Sequence, residues 1–228
     1  FISAHEIRYQ WCHRESVGGH VMDDCDEHPL PVTGCPIAHA AGRKVSLTLS
    51  DSFCVDRYRD EFLELMRSGT VDIVFANEDE AKSLYQTADL ETAREALAED
   101  CKIAIVTRSE KGSMIINGGG AHTQIDADPV DRLVDTTGAG DLYAAGFLYG
   151  YTSGMDMETC GRLGSLAAGI VIQQIGPRPQ VSLRQAAIDA LGRVYYTSTR
   201  LDQEDTTGDN IGASIFESMV ADDAPATM

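Results

Sequence analysis

Hydrophobic and polar positions follow two alternating rhythms between about residues 40 and 191, and neither rhythm holds outside that range. Arg43–Leu49 (RKVSLTL) alternates and is rich in β-formers, which predicts a strand. Asp51 and Ser52 interrupt it. Val55, Tyr58, Phe62, Leu65 and Met66 then recur at helical spacing until Gly69. Val71–Ala76 predicts a short buried strand, Glu78–Tyr85 and Leu90–Leu97 predict two helices, and Ile103–Thr107 predicts another buried strand. Ser113–Asn117 and His122–Ile125 read as a hairpin across Gly118-Gly119-Gly120. Helices follow over Leu142–Tyr151 and Met157–Ile175, the second stopped by Gly176-Pro177-Arg178-Pro179. A last helix runs from its Ser182 cap to about Leu191. Strands alternating with helices imply an α/β fold whose mostly parallel sheet is covered on both faces.

The flanks read differently. Residues 1–40 hold five of the six histidines, three of the six cysteines and the only tryptophan, Trp11, with no sustained period. Cys12, His13, Cys25, His28, Cys35 and His39 could form a zinc cluster, but their spacings match no familiar zinc module, so the expectation is a poorly ordered, atypical leader. Residues 192–228 lose periodicity and carry seven acidic against two basic residues, which predicts a largely disordered tail. The domain is therefore expected over residues 41–191.

Totals exclude some functions. A chain of 228 residues can bury a core, and its net charge of −18 opposes binding to nucleic acid or to an anionic membrane. No apolar run reaches transmembrane length. No secretory signal is visible, and six dispersed cysteines suit a reducing, cytoplasmic setting better than a disulfide scaffold. A dinucleotide-binding Rossmann domain is disfavoured, because no GxGxxG follows an early strand.

The densest chemical signal is Asp135-Thr136-Thr137-Gly138-Ala139-Gly140-Asp141-Leu142-Tyr143-Ala144-Ala145-Gly146-Phe147. Its glycines let backbone approach a ligand, and the free N–H groups of a starting helix attract an anion. Asp141 would repel a phosphate there unless it handles a proton. That combination points to phosphoryl transfer, with the amides stabilising the moving charge and Asp141 accepting the proton of the attacking hydroxyl. A helix-capping Asp after a glycine turn is the competing reading of a bare GxGD. Two further stretches stand where strands end. Asn77-Glu78-Asp79-Glu80 has the spacing of a capping box, with Asn77 as cap. Thr107-Arg108-Ser109-Glu110-Lys111-Gly112 follows a buried strand, where open α/β sheets bind ligands.

The thirteen-residue run resembles the C-terminal signature of the PfkB, or ribokinase-like, family of carbohydrate kinases. The resemblance covers about residues 41–191 and is nearest to bacterial adenosine-kinase-like and sugar-kinase members. It implies a ribokinase-like three-layer α/β/α fold, truncated at its N-terminal side, with the lid and first strands absent. It also implies an ATP-dependent kinase acting on a primary hydroxyl of a nucleoside or sugar, adenosine first and fructose or another sugar next. Asp141 would then be the catalytic base and Gly138, Ala139 and Gly140 the anion hole. Thr107 and Gly112, with Gly138 and Gly140, would bind ATP, and Gly164 to Pro177 would border the adenine. In the family's Thr-x-Gly-x-x-Gly loop, Ser109 stands here in place of the first glycine. Asn77 and Glu80 match an Asn-x-x-Glu motif that helps place Mg²⁺ through water. Asp135 and Thr137, with carbonyls near Val171, Gln174 and Gly176, would hold a monovalent cation such as K⁺. Lys111 and Arg178 read as surface residues. The missing half implies impaired activity, and the alternative is a non-catalytic nucleotide-binding remnant or partner subunit. A homodimer is an allowed assembly.

Overall fold

The computed structural model describes residues 34–191. Five strands lie in chain order in one sheet: β1 (Ser46–Thr48), β2 (Ile73–Asn77), β3 (Ile103–Thr107), β4 (Ser113–Asn117) and β5 (His122–Ile125). The helices are α1 (Gly34–Ala40), α2 (Ser52–Arg57), α3 (Arg59–Arg67), α4 (Glu78–Leu84), α5 (Leu90–Asp100), α6 (Ala139–Thr152), α7 (Met157–Val171) and α8 (Leu183–Leu191). The chain divides into two compact units, one ending at Thr107 and including 116–122, the other formed by 108–115 and the residues from Thr123 onward.

In the first unit β1, β2 and β3 run parallel, with Ser46 beside Ile73 and Ile73 beside Ile103. β2 (IVFAN) and β3 (IAIVT) are nearly continuous apolar runs, as expected of strands buried on both faces. Val45, Leu47, Ile73, Ile105, Val55, Leu84 and Leu97 form its core. The predicted first strand shrinks to three residues. The single helix expected over 55–66 is two, parted at Tyr58 (φ −122°, ψ 29°), which caps the end of α2 and the start of α3. Residues 34–40, which the sequence reading leaves in the leader, form α1 with Cys35 and Ala38 buried.

Asp72 explains how α1 is fixed. Its carboxylate, buried at the foot of β2, accepts the Val45 N–H at 3.0 Å, His39 Nε2 at 2.8 Å, Lys102 Nζ at 2.8 Å and Lys44 Nζ at 3.4 Å. Burial alone would raise its pKa. The hydrogen bonds from Lys102, Val45 and His39 and the charge of Lys44 outweigh that and hold it well below the usual carboxylate range. A depressed folded pKa means that the unfolded chain binds more protons in acid. The contribution of Asp72 is therefore complete above the unfolded value of about 3.9 and is lost as pH falls below it. Asp72→Asn is expected to cost about 2–3 kcal/mol at neutral pH. It should also flatten the fall in unfolding free energy below about pH 4, as urea titrations across pH would show.

The second unit is organised by α6 and α7, which pack through glycines. A Cβ on Gly146 would lie 2.5 Å from the Leu163 carbonyl oxygen, and one on Gly164 2.8 Å from that of Tyr143. Leu142, Tyr149, Leu163, Ala167, Val171, Leu183 and Ala187 fill the core around these helices. The α7 helix stops at Val171, four residues earlier than its pattern predicts, with Ile172 as C-cap. Ile172 O instead accepts the N–H groups of Val134 (2.8 Å) and Asp135 (3.2 Å), which fastens the segment leading into α6.

Candidate active site

The start of α6 is built by a reversal at Gly138. Its φ of 79° is left-handed, and a Cβ there would lie 2.5 Å from Pro177 Cβ. Glycine is required twice over, by conformation and by space. Asp135 ties the turn together. One carboxylate oxygen accepts the Thr137 N–H at 2.9 Å and the other the Gly176 N–H at 2.9 Å. The Gly176 amide, followed by the donors of Thr137, holds its pKa below the ordinary value.

Among the described residues the amide of Ala139 donates to Thr136 O at 3.1 Å, and that of Leu142 to Gly138 O at 2.9 Å. No such bond takes the N–H of Gly140 or Asp141, and Gly138 provides no side-chain cap. Among the described residues the amides of Gly138, Gly140 and Asp141 are therefore open, the last two at the positive end of a 14-residue helix. The sequence reading centred the anion hole on residues 138–140. Of these three, Ala139 spends its N–H inside the turn, and the Asp141 N–H stands open beside the others.

Gly140 adds a second observation. Nothing lies within 4 Å of a Cβ built on it, and its φ is not left-handed. The fold does not need glycine there, so the missing side chain leaves room for something outside the chain. Gly140→Ala is expected to raise stability by up to about 1 kcal/mol, through helix propensity. It should also weaken MgATP binding, measured by calorimetry beside thermal unfolding. Asp141 is exposed at the same turn.

The other predicted residues sit at the carboxyl ends of parallel strands. Asn77 and Thr107 are register partners, the last residues of β2 and β3. Asn77 and Glu80 form the capping box. Asn77 Oδ1 accepts the Glu80 N–H at 2.8 Å, Glu80 Oε2 accepts the Asn77 N–H at 2.9 Å, and Glu80 Oε1 accepts Asn77 Nδ2 at 2.7 Å. Glu80 is 4% exposed. This carboxylate is committed to Asn77, so its fit to Mg²⁺ is limited to an outer, positioning role. No group of three or more His, Cys, Asp or Glu among the described residues could hold a metal ion. Asp135 likewise uses both oxygens to join two loops, the ordering task that a monovalent cation would share. Of the zinc-type residues, Cys35 is buried with a free thiol and His39 is bonded to Asp72. Cys12, His13, Cys25 and His28 lie outside the described residues, as does the 192–228 tail.

The loop after β3 has a serine where the resembled motif has its first glycine. Ser109 has φ 52°, the left-handed conformation that glycine adopts freely. Serine thus occupies a glycine's conformation. Gly112 (φ 78°) cannot be replaced: a Cβ would fall 1.9 Å from Ile125 O. The Arg108 N–H closes the loop onto Gly112 O at 2.7 Å, and Gln124 Nε2 donates to Lys111 O at 3.1 Å. Lys111 and Arg178 are exposed, as expected.

In the first unit Asn77 and Thr107 stand at the carboxyl ends of parallel strands, and in the second a glycine turn opens a helix beside an exposed acid. Residues 32–183 match the pfkB family of carbohydrate kinases, and the chain belongs to that family. A probable sugar kinase from Rhizobium etli is 62% identical, with TM-score 0.69, over 70% of this chain and 48% of that one. An adenosine kinase structure from Sinorhizobium meliloti is 62% identical, with TM-score 0.68, over the same shares. A cytidine kinase from Thermococcus kodakarensis is 35% identical over 52% of this chain and 45% of its own length. The chain thus spans less than half the length of that relative, and the fold is the ribokinase-like α/β fold over a partial region. No helix among the described residues is long and apolar enough to cross a membrane.

Proposed function

We propose that these residues form the ATP side of a kinase that transfers the γ-phosphoryl group of MgATP to a primary hydroxyl of a nucleoside or sugar. Adenosine is the first candidate acceptor, because the adenosine kinase of Sinorhizobium meliloti is 62% identical over the shared region. Fructose or another sugar is next. The observation that carries the reading is the pair of open amides at Gly140 and Asp141 beside the exposed Asp141 carboxylate. Asp141 takes the proton of the acceptor hydroxyl as its oxygen forms the new O–P bond. The bond between the γ-phosphorus and the bridging oxygen breaks, and ADP leaves with that electron pair. The two amides meet the charge spread over the transferring group. Thr107 and Gly112 shape the nucleotide loop, and Asp135 keeps the anion hole drawn together. Mg²⁺ enters with ATP, with Asn77 and Glu80 fixing the strand end near which its waters would lie. K⁺ beside Asp135 and Thr137 would reinforce the same turn.

A second reading is a nucleotide-binding partner or remnant without turnover of its own. In line with this, the 228 residues tested by themselves are expected to be poorly active. Acceptor hydroxyls need to be held in line and screened from water, which takes surface from both sides of a substrate. Calorimetry with MgATP, and phosphorylation assays with adenosine, ribose and fructose, separate the readings. Binding without turnover supports the remnant, brisk turnover refutes the impairment, and no binding at all refutes both.

A further inference from the structure

One buried polar contact in the second unit is used by nothing above. The hydroxyls of Ser113 and Tyr143 lie 2.6 Å apart, with the two residues 1% and 4% exposed. Tyr143 stands on α6, two residues after Asp141. Ser113 follows Gly112, the closing glycine of the nucleotide loop. We infer that the Tyr143–Ser113 hydrogen bond is a positioning strut, which sets the loop of residues 108–112 relative to the helix that carries Asp141 and the anion-hole amides. The inference rests on the kinase reading for the identity of the loop's ligand.

Packing does not account for the hydroxyl. The Tyr143 ring runs past Gly164, where a Cβ would lie 3.0 Å from the ring carbons Cε1 and Cζ. Phenylalanine would keep that ring contact. A buried hydroxyl is unfavourable unless it is paired, and a pair of matched hydroxyls adds little net stability over two apolar groups of the same shape. What the bond adds is direction. Ser113 sits where the loop re-enters the sheet, and Gly112 beside it is wedged against Ile125 O with no slack. A loop fixed at Ser113 is therefore fixed at Gly112, whose carbonyl receives Arg108 and closes the turn. Gln124 on Lys111 O steadies the loop's middle. Burial, partly offset by the bond from Ser113, raises the Tyr143 pKa to about 12, so the phenol stays protonated across the working range.

The test uses the 228-residue chain as wild type, Tyr143→Phe, Ser113→Ala and the double variant. MgATP affinity is read by calorimetry, and amide hydrogen exchange is read over 108–113 and over α6 and α7. A strut predicts MgATP binding about tenfold weaker in each single variant, and no weaker in the double than in the weaker single. It also predicts faster exchange confined to the loop. Wild-type affinity and unchanged loop exchange in Tyr143→Phe would overturn it. So would losses that multiply in the double variant, or faster exchange spread through α6 and α7, since either marks general core support. A wild-type chain that takes up no MgATP overturns the kinase reading and this inference with it, a failure recognisable without any variant.

Discussion

Asp141→Asn is expected to lower kcat by about a thousandfold while leaving MgATP affinity unchanged or slightly tighter. General-base contributions run from about 10² to 10⁴, which sets the scale. Asparagine keeps the size and exposure of the side chain but cannot take up the hydroxyl proton. It also removes a negative charge facing the triphosphate, so binding should not weaken. The measurement is steady-state turnover with calorimetry, made on a full-length family member carrying the same Asp-Thr-Thr-Gly-Ala-Gly-Asp run. Wild-type turnover in the Asn variant would show that Asp141 only sets a negative charge in the first turn of α6. A parallel loss of MgATP affinity would mean that the substitution disturbs the anion hole instead.

Gly146→Ala should destabilise the second unit strongly, although the position is an ordinary helical one. Alanine is favoured over glycine in a helix by about 1 kcal/mol, so propensity alone predicts a gain. Packing reverses the sign. The new Cβ would stand 2.5 Å from Leu163 O and 3.0 Å from Gly164 Cα, and both are backbone of α7 with no side chain to swing aside. The helices must part, opening the core around Leu142, Leu163 and Ala167. Overpacking of this kind costs about 3 kcal/mol or more. Chemical denaturation of Gly146→Ala beside Gly140→Ala gives the sharpest contrast. The same change is expected to destabilise at one position of α6 and to stabilise at another, six residues earlier. Equal effects would mean that the close approach of α6 to α7 is relieved by small shifts.

Hydrophobic period alone located most elements. β3, β4 and β5 match their predicted bounds residue for residue, β3 and β4 because each has an apolar core bounded by turn signals and β5 because it follows the Gly118-Gly119-Gly120 turn. The period misjudged two helices for local reasons. Tyr58 fits the apolar face of a continuous helix, yet its backbone leaves helical geometry there. Residues 172–175 continue the apolar pattern of α7, but Ile172 O is taken by the N–H groups of Val134 and Asp135 in the segment leading into α6. α1 escaped notice because its anchor is electrostatic: His39 meets Asp72 across 33 residues, a pairing without periodicity. In the site, Ser109 was visible as an irregular letter in a glycine position, and its positive φ shows why glycine is the usual choice.

The sequence by itself determined the α/β alternation, the glycine turn that opens α6 and the acid beside it. These depend on neighbours within one turn of chain, and local sterics and capping are written locally. Only the tertiary structure decided which amides at that turn stay open, that Gly140 faces empty space while Gly138 faces Pro177, and that Tyr143 reaches Ser113. Each is a matter of what a distant segment places, or fails to place, within a few ångströms. Such distances are set when α6, α7 and the loops close on one another, and no spacing along the chain encodes them.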